Sequence, residues 1–108
     1  MMIEKWEVWN VQFAYEDKPE EAKIRPVLVI DARKNIVIAL KITSHNPRKE
    51  YGGEYQIEKW KEAGLDKPSV VRCSKRAVFE ESDFISKRGK LQSGDIISIQ
   101  ALLNYYYQ

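Results

Sequence analysis

Two apolar runs rich in β-branched residues, Pro-Val-Leu-Val-Ile at residues 26–30 and Ile-Val-Ile-Ala-Leu-Lys-Ile at residues 36–42, flank a polar stretch at residues 31–35. Short runs bounded by a polar turn read as the two strands of a β-hairpin. Neither run alternates cleanly between apolar and polar, so both faces of the hairpin need cover. It belongs near the middle of a small, strongly curved sheet or barrel. With the turn centred near Lys34, antiparallel pairing sets residue i opposite a residue numbered roughly 68 − i. Arg25 then lies across from about Thr43 at the open end, beside Ser44 and His45, the one histidine of the chain. A guanidinium, two hydroxyls and an imidazole are groups suited to gripping and cleaving a phosphodiester. A solvated strand end carries the same residue types, and spacing leaves both readings open.

The rest of the chain builds around this hairpin. Trp9, Val11, Phe13 and Tyr15 alternate with Val8, Asn10, Gln12 and Ala14, which predicts a first strand with an aromatic face toward the core. Residues 16–22 contain Pro19 and read as a loop, and so do residues 45–53 with Pro47 and the Gly52-Gly53 pair. A short strand over 55–57 precedes one or two helical turns at 58–63, which Gly64 is suited to end. Residues 69–73, 77–79 and 85–91 predict three further strands. From Ser93 the spacing of Ile96, Ile99, Leu103 and Tyr106 predicts a terminal helix, with Ser93 as cap and Asp95 at its positive start. The expectation is one domain over residues 1–108: a mainly β protein, a small barrel with a short helix and a C-terminal helix.

Composition narrows the class. At 108 residues, 44% hydrophobic and 31% charged, the chain has the profile of a single globular domain. No apolar run approaches a membrane span and no signal-peptide core follows the N-terminus, so a cytoplasmic protein is expected. Cys73 stands alone, which excludes an intramolecular disulfide framework and leaves no zinc pattern; a small buried hydrophobe is its expected role. Residues 1–22 hold six acids against two bases, and the remainder sixteen bases against ten acids. A basic body with an acidic start fits a protein that meets an anionic partner on one face, and also fits an ordinary mixed surface. Arg48-Lys49, Lys75-Arg76 and Lys87-Arg88-x-Lys90 are short basic clusters suited to phosphate steering or simply to solvation. The first two, with Lys23, are the favoured contacts for a nucleic-acid backbone. Trp6, Trp9 and Trp60 are candidates for base stacking, although in so small a domain aromatics more often fill the core.

Four local patterns stand in order: Val8-Trp9-x-Val11-x-Phe13, Lys23-x-Arg25-Pro26-Val27-Leu28-Val29-Ile30, Lys41-Ile42-Thr43-Ser44, and Gly64-Leu65-x-Lys67-Pro68-Ser69-Val70-Val71. Together they resemble the MazF/PemK family of type II toxin–antitoxin toxins over almost the whole chain. The resemblance implies an SH3-like barrel, a homodimer, cleavage of single-stranded RNA in the cytoplasm without metal or other cofactor, and an antitoxin partner that blocks the RNA site. It places Arg25 and Thr43 at the family's catalytic arginine and threonine positions. Two departures bear on substrate choice: Glu4-Lys5-Trp6-Glu7 stands where the family often has an Arg-Gly-Asp-like turn, and the first loop is acidic and lacks glycines.

The chemistry agrees with that assignment. Attack of a 2′-hydroxyl on the adjacent phosphorus builds charge on the non-bridging oxygens. A fixed guanidinium meets that charge with two charge-assisted bonds. Arg25 stays protonated, so its expected role is charge stabilisation, with Thr43 donating to the same oxygens and Ser44 assisting. His45 is not carried over from the family; its candidacy for proton transfer rests on position and intrinsic pKa. The alternative function is a non-catalytic SH3-like module that grips nucleic acid or a protein partner. The expected dimer seam is the Ile96, Ile99, Leu103 and Tyr106 stripe with the third strand.

Overall fold

A computed structural model of the chain describes residues 2–14, 22–45 and 52–107. The central hairpin is β2 (Ala22–Arg33) and β3 (Ile36–Thr43), turning at Lys34 and Asn35. Asn35 sits at φ 69, a left-handed conformation that a short polar side chain tolerates. Val27 pairs with Lys41, Leu28 with Leu40 and Val29 with Ala39, the register expected from the turn. A shift between Val29 and Asp31 moves the pairs nearer the turn by one residue. The remaining strands are β1 (Glu7–Ala14), β4 (Glu54–Gln56), β5 (Val70–Glu80) and β6 (Phe84–Lys90), in the sheet order β4-β5-β3-β2-β1-β6. The two apolar runs thus hold the two central places.

Period-two alternation splits the buried side chains between the faces of the sheet. Val8, Leu28, Leu40 and Ile42 belong to one core with Val71, Cys73, Ile99 and Leu103. Trp9, Val11, Val27, Val29, Val37 and Ala39 belong to the other, closed by Phe79 and Phe84. Phe84 meets both Trp9 and Phe79 edge-on at 5.9 Å, an arrangement aromatic pairs prefer. The two strands expected at 69–73 and 77–79 are one strand, β5. Its polar middle is absorbed by a register shift opposite Leu40 and Ile42, while Arg72 pairs with Glu54 of β4.

The expectation of a closed SH3-like barrel is not met. The sheet is open, with β4 and β6 as its two edges. β4 has three residues, too few to carry a closing ladder, and the chain then leaves as a turn over residues 58–64. That turn packs against β6 where a further strand would have to pair. A Cβ on Gly64 would lie 2.2 Å from the Arg88 carbonyl oxygen, and one on Gly89 2.5 Å from that of Ala63. Only glycine permits this backbone approach. The expected short helix is not regular either. Gly64 donates its N–H to the Lys61 carbonyl and Leu65 to that of Trp60, both at 3.0 Å, which ends the turn in a Schellman motif with Gly64 at φ 90.

The C-terminal helix α1 spans Ser93–Tyr106. Gln92, not Ser93, is its N-cap residue, without a side-chain cap bond. Ile99 and Leu103 are buried in the first core and Ile96 packs against it. The stripe expected at a dimer seam is therefore used within the chain. Tyr106 lies over the Gly52-Gly53 turn, and the Arg76 guanidinium sits 4.0 Å from the centre of the Tyr107 ring. Among the described residues, no helix is long and apolar enough to cross a membrane.

Candidate nucleic-acid cleft

The hairpin ladder stops at Val27 and Lys41, and beyond it the two strands part. Between them and the turn at 64–67 opens a cleft of about 360 Å³, lined by Arg25, Thr43, Ser44 and His45 on one side and Asp66, Lys67 and Arg88 on the other. Arg25 is exposed on β2, opposite Val11 of β1. The structure brings together all four side chains that the sequence singled out for chemistry. The Thr43 Oγ1 is buried and has no hydrogen-bond partner among the described residues. A second hollow of about 320 Å³ adjoins the cleft, sharing Ser44, His45 and Lys67 and reaching Gln56 and Pro68.

His45 has a companion that sequence reasoning missed. Its Nε2 lies 3.7 Å from Oε2 of Glu54, whose side chain is 2% exposed, and Nε of Arg72 lies 4.0 Å from the same oxygen. A buried carboxylate calls for charged or hydrogen-bonding neighbours, and Arg72 supplies the fixed charge. Glu54 and His45 stand nine residues apart, and nothing in their spacing joins them. The far wall was missed as well. Arg88 donates from Nε to the Gly64 carbonyl at 2.9 Å and from Nη1 to Asn10 Oδ1 at 3.3 Å, and its Nη2 meets Asp66 Oδ2 at 2.7 Å. The signal was present in Gly64 and Gly89, the glycines that let turn and strand touch.

The basic residues expected to bind RNA divide. Lys23 is exposed on β2 near Arg25 but does not line the cleft. Lys75 and Arg76 lie on β5, with Arg76 under the Tyr107 ring, and do not line it either. Arg48 and Lys49 fall outside the described residues. Lys87 bonds at 2.6 Å to Glu7, a nearly buried carboxylate that also accepts from the Trp9 indole N–H at 2.9 Å and the Glu4 N–H at 2.8 Å. Burial alone would push the Glu7 carboxyl up, but these hydrogen bonds and the Lys87 charge hold it below its ordinary value. Trp9 is core. Trp6 and Trp60 are half-buried against the core, each with a neighbouring lysine ammonium over its ring. Trp6 stands at φ 74, in the segment where an Arg-Gly-Asp-like turn was the family expectation. Its N–H donates to Val29 and its carbonyl accepts from Leu91, tying the entry of β1 to β2 and to the end of β6. Cys73 is buried as expected, and burial pushes its thiol up to about 12. Among the described residues, no three His, Cys, Asp or Glu side chains gather where they could hold a metal ion.

Comparison with known proteins agrees with this architecture. A mycobacterial endoribonuclease solved in complex with its cognate antitoxin superposes with a TM-score of 0.74 at 11% identity, covering 94% of this chain and 91% of that one. The Mycobacterium tuberculosis toxin MazF-mt6 superposes with a TM-score of 0.69 at 19% identity, covering 94% of this chain and 95% of that one. At such identities the likeness is one of fold. No curated protein matches the sequence. The family model for PemK-like, MazF-like toxins of type II toxin–antitoxin systems matches residues 4–107, so this chain belongs to that toxin family.

Proposed function

We infer that this toxin is a metal-independent endoribonuclease that cuts single-stranded RNA by attack of a 2′-hydroxyl on the adjacent phosphorus. The observation that carries the reading is the Thr43 hydroxyl, buried in the cleft that Arg25 also lines and without a hydrogen-bond partner among the described residues. Leaving a buried hydroxyl unsatisfied costs on the order of 1–3 kcal/mol, a cost that a substrate oxygen arriving in the cleft would offset. Arg25 stabilises the charge that grows on the phosphoryl oxygens, and Thr43 donates to them, with Ser44 beside it. His45, backed by the Glu54 carboxylate, moves the proton between the reacting oxygens and water. The superposed endoribonuclease was solved with its cognate antitoxin, which supports an antitoxin partner here too. The active species is a homodimer, and light scattering at twice the chain mass checks this.

The test is digestion of a long, weakly structured RNA in excess chelator, followed by end mapping. The expected products carry a 2′,3′-cyclic phosphate facing a 5′-hydroxyl. Fragments with 5′-phosphates, or cleavage that stops on chelation, would exclude this mechanism. Binding without any cleavage would favour the non-catalytic module. In His45→Gln the pH–rate profile should lose a limb, and an unchanged profile would remove His45 from the chemistry.

A further inference from the structure

We propose that Arg88 and Lys67 form a second phosphate-binding subsite in the cleft, and that Asp66 occupies it in the free protein as an internal competitor for RNA. The inference rests on the ribonuclease reading above and goes beyond it in naming where a second phosphate sits and what must leave.

The Arg88 side chain is 21% exposed and is held at three points. Two of them, the Gly64 carbonyl and the Asn10 side-chain oxygen, are neutral acceptors that fix the plane of the guanidinium. The third, Asp66, is a carboxylate 82% exposed to solvent. An ion pair with so exposed a partner contributes little to stability and is readily given up. The turn does not depend on it, since the Schellman bonds of Gly64 and Leu65 and the Arg88–Gly64 bond already close that segment. Removing Asp66 from Nη2 would leave a guanidinium that is still aimed by two bonds. Carboxylate and phosphate oxygens present the same kind of acceptor to the arginine fork, so the position of Asp66 marks where a phosphate oxygen fits.

The location suits the substrate. Arg88 faces Arg25 and Thr43 across one cleft, and Lys67 lines both this cleft and the adjoining hollow. A single strand whose scissile phosphate lies at Arg25 would carry its neighbouring phosphate toward Arg88 and Lys67. Two separated cationic points fix the strand's direction as well as its place. Asp66 then sets a threshold: weakly held polyanions fail to displace it, and a strand that engages both points does.

The experiment measures binding of a fluorescent single-stranded oligonucleotide, fully 2′-methoxylated so that it cannot be cut, by anisotropy across a salt series. Asp66→Asn should tighten binding about threefold to fivefold, the factor expected for removing a weak exposed competitor. Arg88→Ala should weaken binding and reduce the slope of log K against log salt by about 0.7, the loss of one phosphate contact on a single strand. In the Arg88→Ala background, Asp66→Asn should have no effect. Thermal melts accompany each variant. Should Arg88→Ala fold poorly, the single Asp66→Asn variant on the exposed side decides alone. Unchanged or weaker binding by Asp66→Asn overturns the subsite, and so does tightening seen with a polyglutamate peptide but not with the oligonucleotide. A wild-type chain that binds and cuts RNA yet ignores Asp66 overturns this inference only. A wild-type chain that binds no oligonucleotide overturns the ribonuclease reading with it.

Discussion

The turn over residues 58–64 and the bend that follows it are fastened at both ends by an acid, and the two fastenings are built for different work. At its start, Asp95 of α1 is 2% exposed and accepts three bonds: from the Tyr55 hydroxyl at 2.6 Å and from the Glu58 and Lys59 N–H groups at 3.0 Å each. At its end, Asp66 is mostly in solvent and touches Arg88 at the rim of the cleft. Every donor around Asp95 is committed. Across the cleft from Asp66, by contrast, stand an exposed Arg25 and a Thr43 hydroxyl with no partner among the described residues. Buried polar groups that are fully bonded hold a fold together; those left short of a partner await one from outside. One region should therefore answer to mutation in stability and the other in rate.

The largest effect is expected at the cleft. Arg25→Ala should lower cleavage about a hundredfold or more, the usual cost of removing an oriented donor to the transition state. Its melting temperature should stay at the wild-type value, because the side chain is exposed and outside both cores. Arg25→Lys should fail almost as badly, since a point charge does not replace the fork. Retained activity in either variant would break the division between the two regions.

Next comes the closed end. Asp95→Ala strands a phenol and two N–H groups and should cost about 3 kcal/mol, read as a lower denaturation midpoint. Asp95→Asn keeps one acceptor oxygen and should lose less. Tyr55 reports on the same clamp. Burial, and then its bond to Asp95, push its phenol up to about 12, so the native protein should resist its ionisation until the fold itself gives way. Per folded molecule, cleavage by Asp95→Asn should match wild type. A rate loss without a stability loss would make Asp95 part of the chemistry.

What the sequence made legible follows the range of the interactions. The β2–β3 hairpin and its register rest on local periodicity and one turn, and from them Arg25, Thr43, Ser44 and His45 could be brought to one place. Glu54, Asp66 and Arg88 join that place from a three-residue strand, a turn and an edge strand, none of which has a period to read. The open sheet was missed for the same reason. Closure depends on what fills the space between β4 and β6, and the filler is an irregular turn whose fit depends on Gly64 and Gly89. Asp95 was placed correctly at the start of α1, but as a partner for the helix dipole; its three acceptor bonds lie across the fold.

Glu7 extends the comparison to pH. It is a second closed carboxylate, nearly buried and bonded to Lys87, Trp9 and the Glu4 N–H. Because its folded pKa lies below the unfolded one, its contribution is fully present above about pH 4.3, the ordinary glutamate value. That contribution fades as pH falls through the depressed folded value. Glu7→Gln should lower stability by about 1–2 kcal/mol at neutral pH and flatten the acid limb of the stability profile. An unchanged acid limb would show that the bonds around Glu7 contribute nothing.

The smallest effect gives the sharpest contrast. Thr43→Val replaces a hydroxyl by a methyl of nearly the same shape at a half-buried position. At Tyr55 the loss of a buried hydroxyl would break a bond. The Thr43 Oγ1 has no bond to break among the described residues, so removing it also removes its desolvation cost. Stability should hold or rise by up to about 1 kcal/mol. The rate should fall on the order of tenfold, because the proposed mechanism gives that oxygen the phosphate as its partner. Asp95→Ala is thus expected to lose stability and keep its rate, and Thr43→Val to keep its stability and lose rate. A denaturant melt and a single-turnover assay on each are enough to see it. If Thr43→Val proves less stable and equally fast, its hydroxyl serves the fold, and the division drawn between the two ends of the turn fails at the cleft.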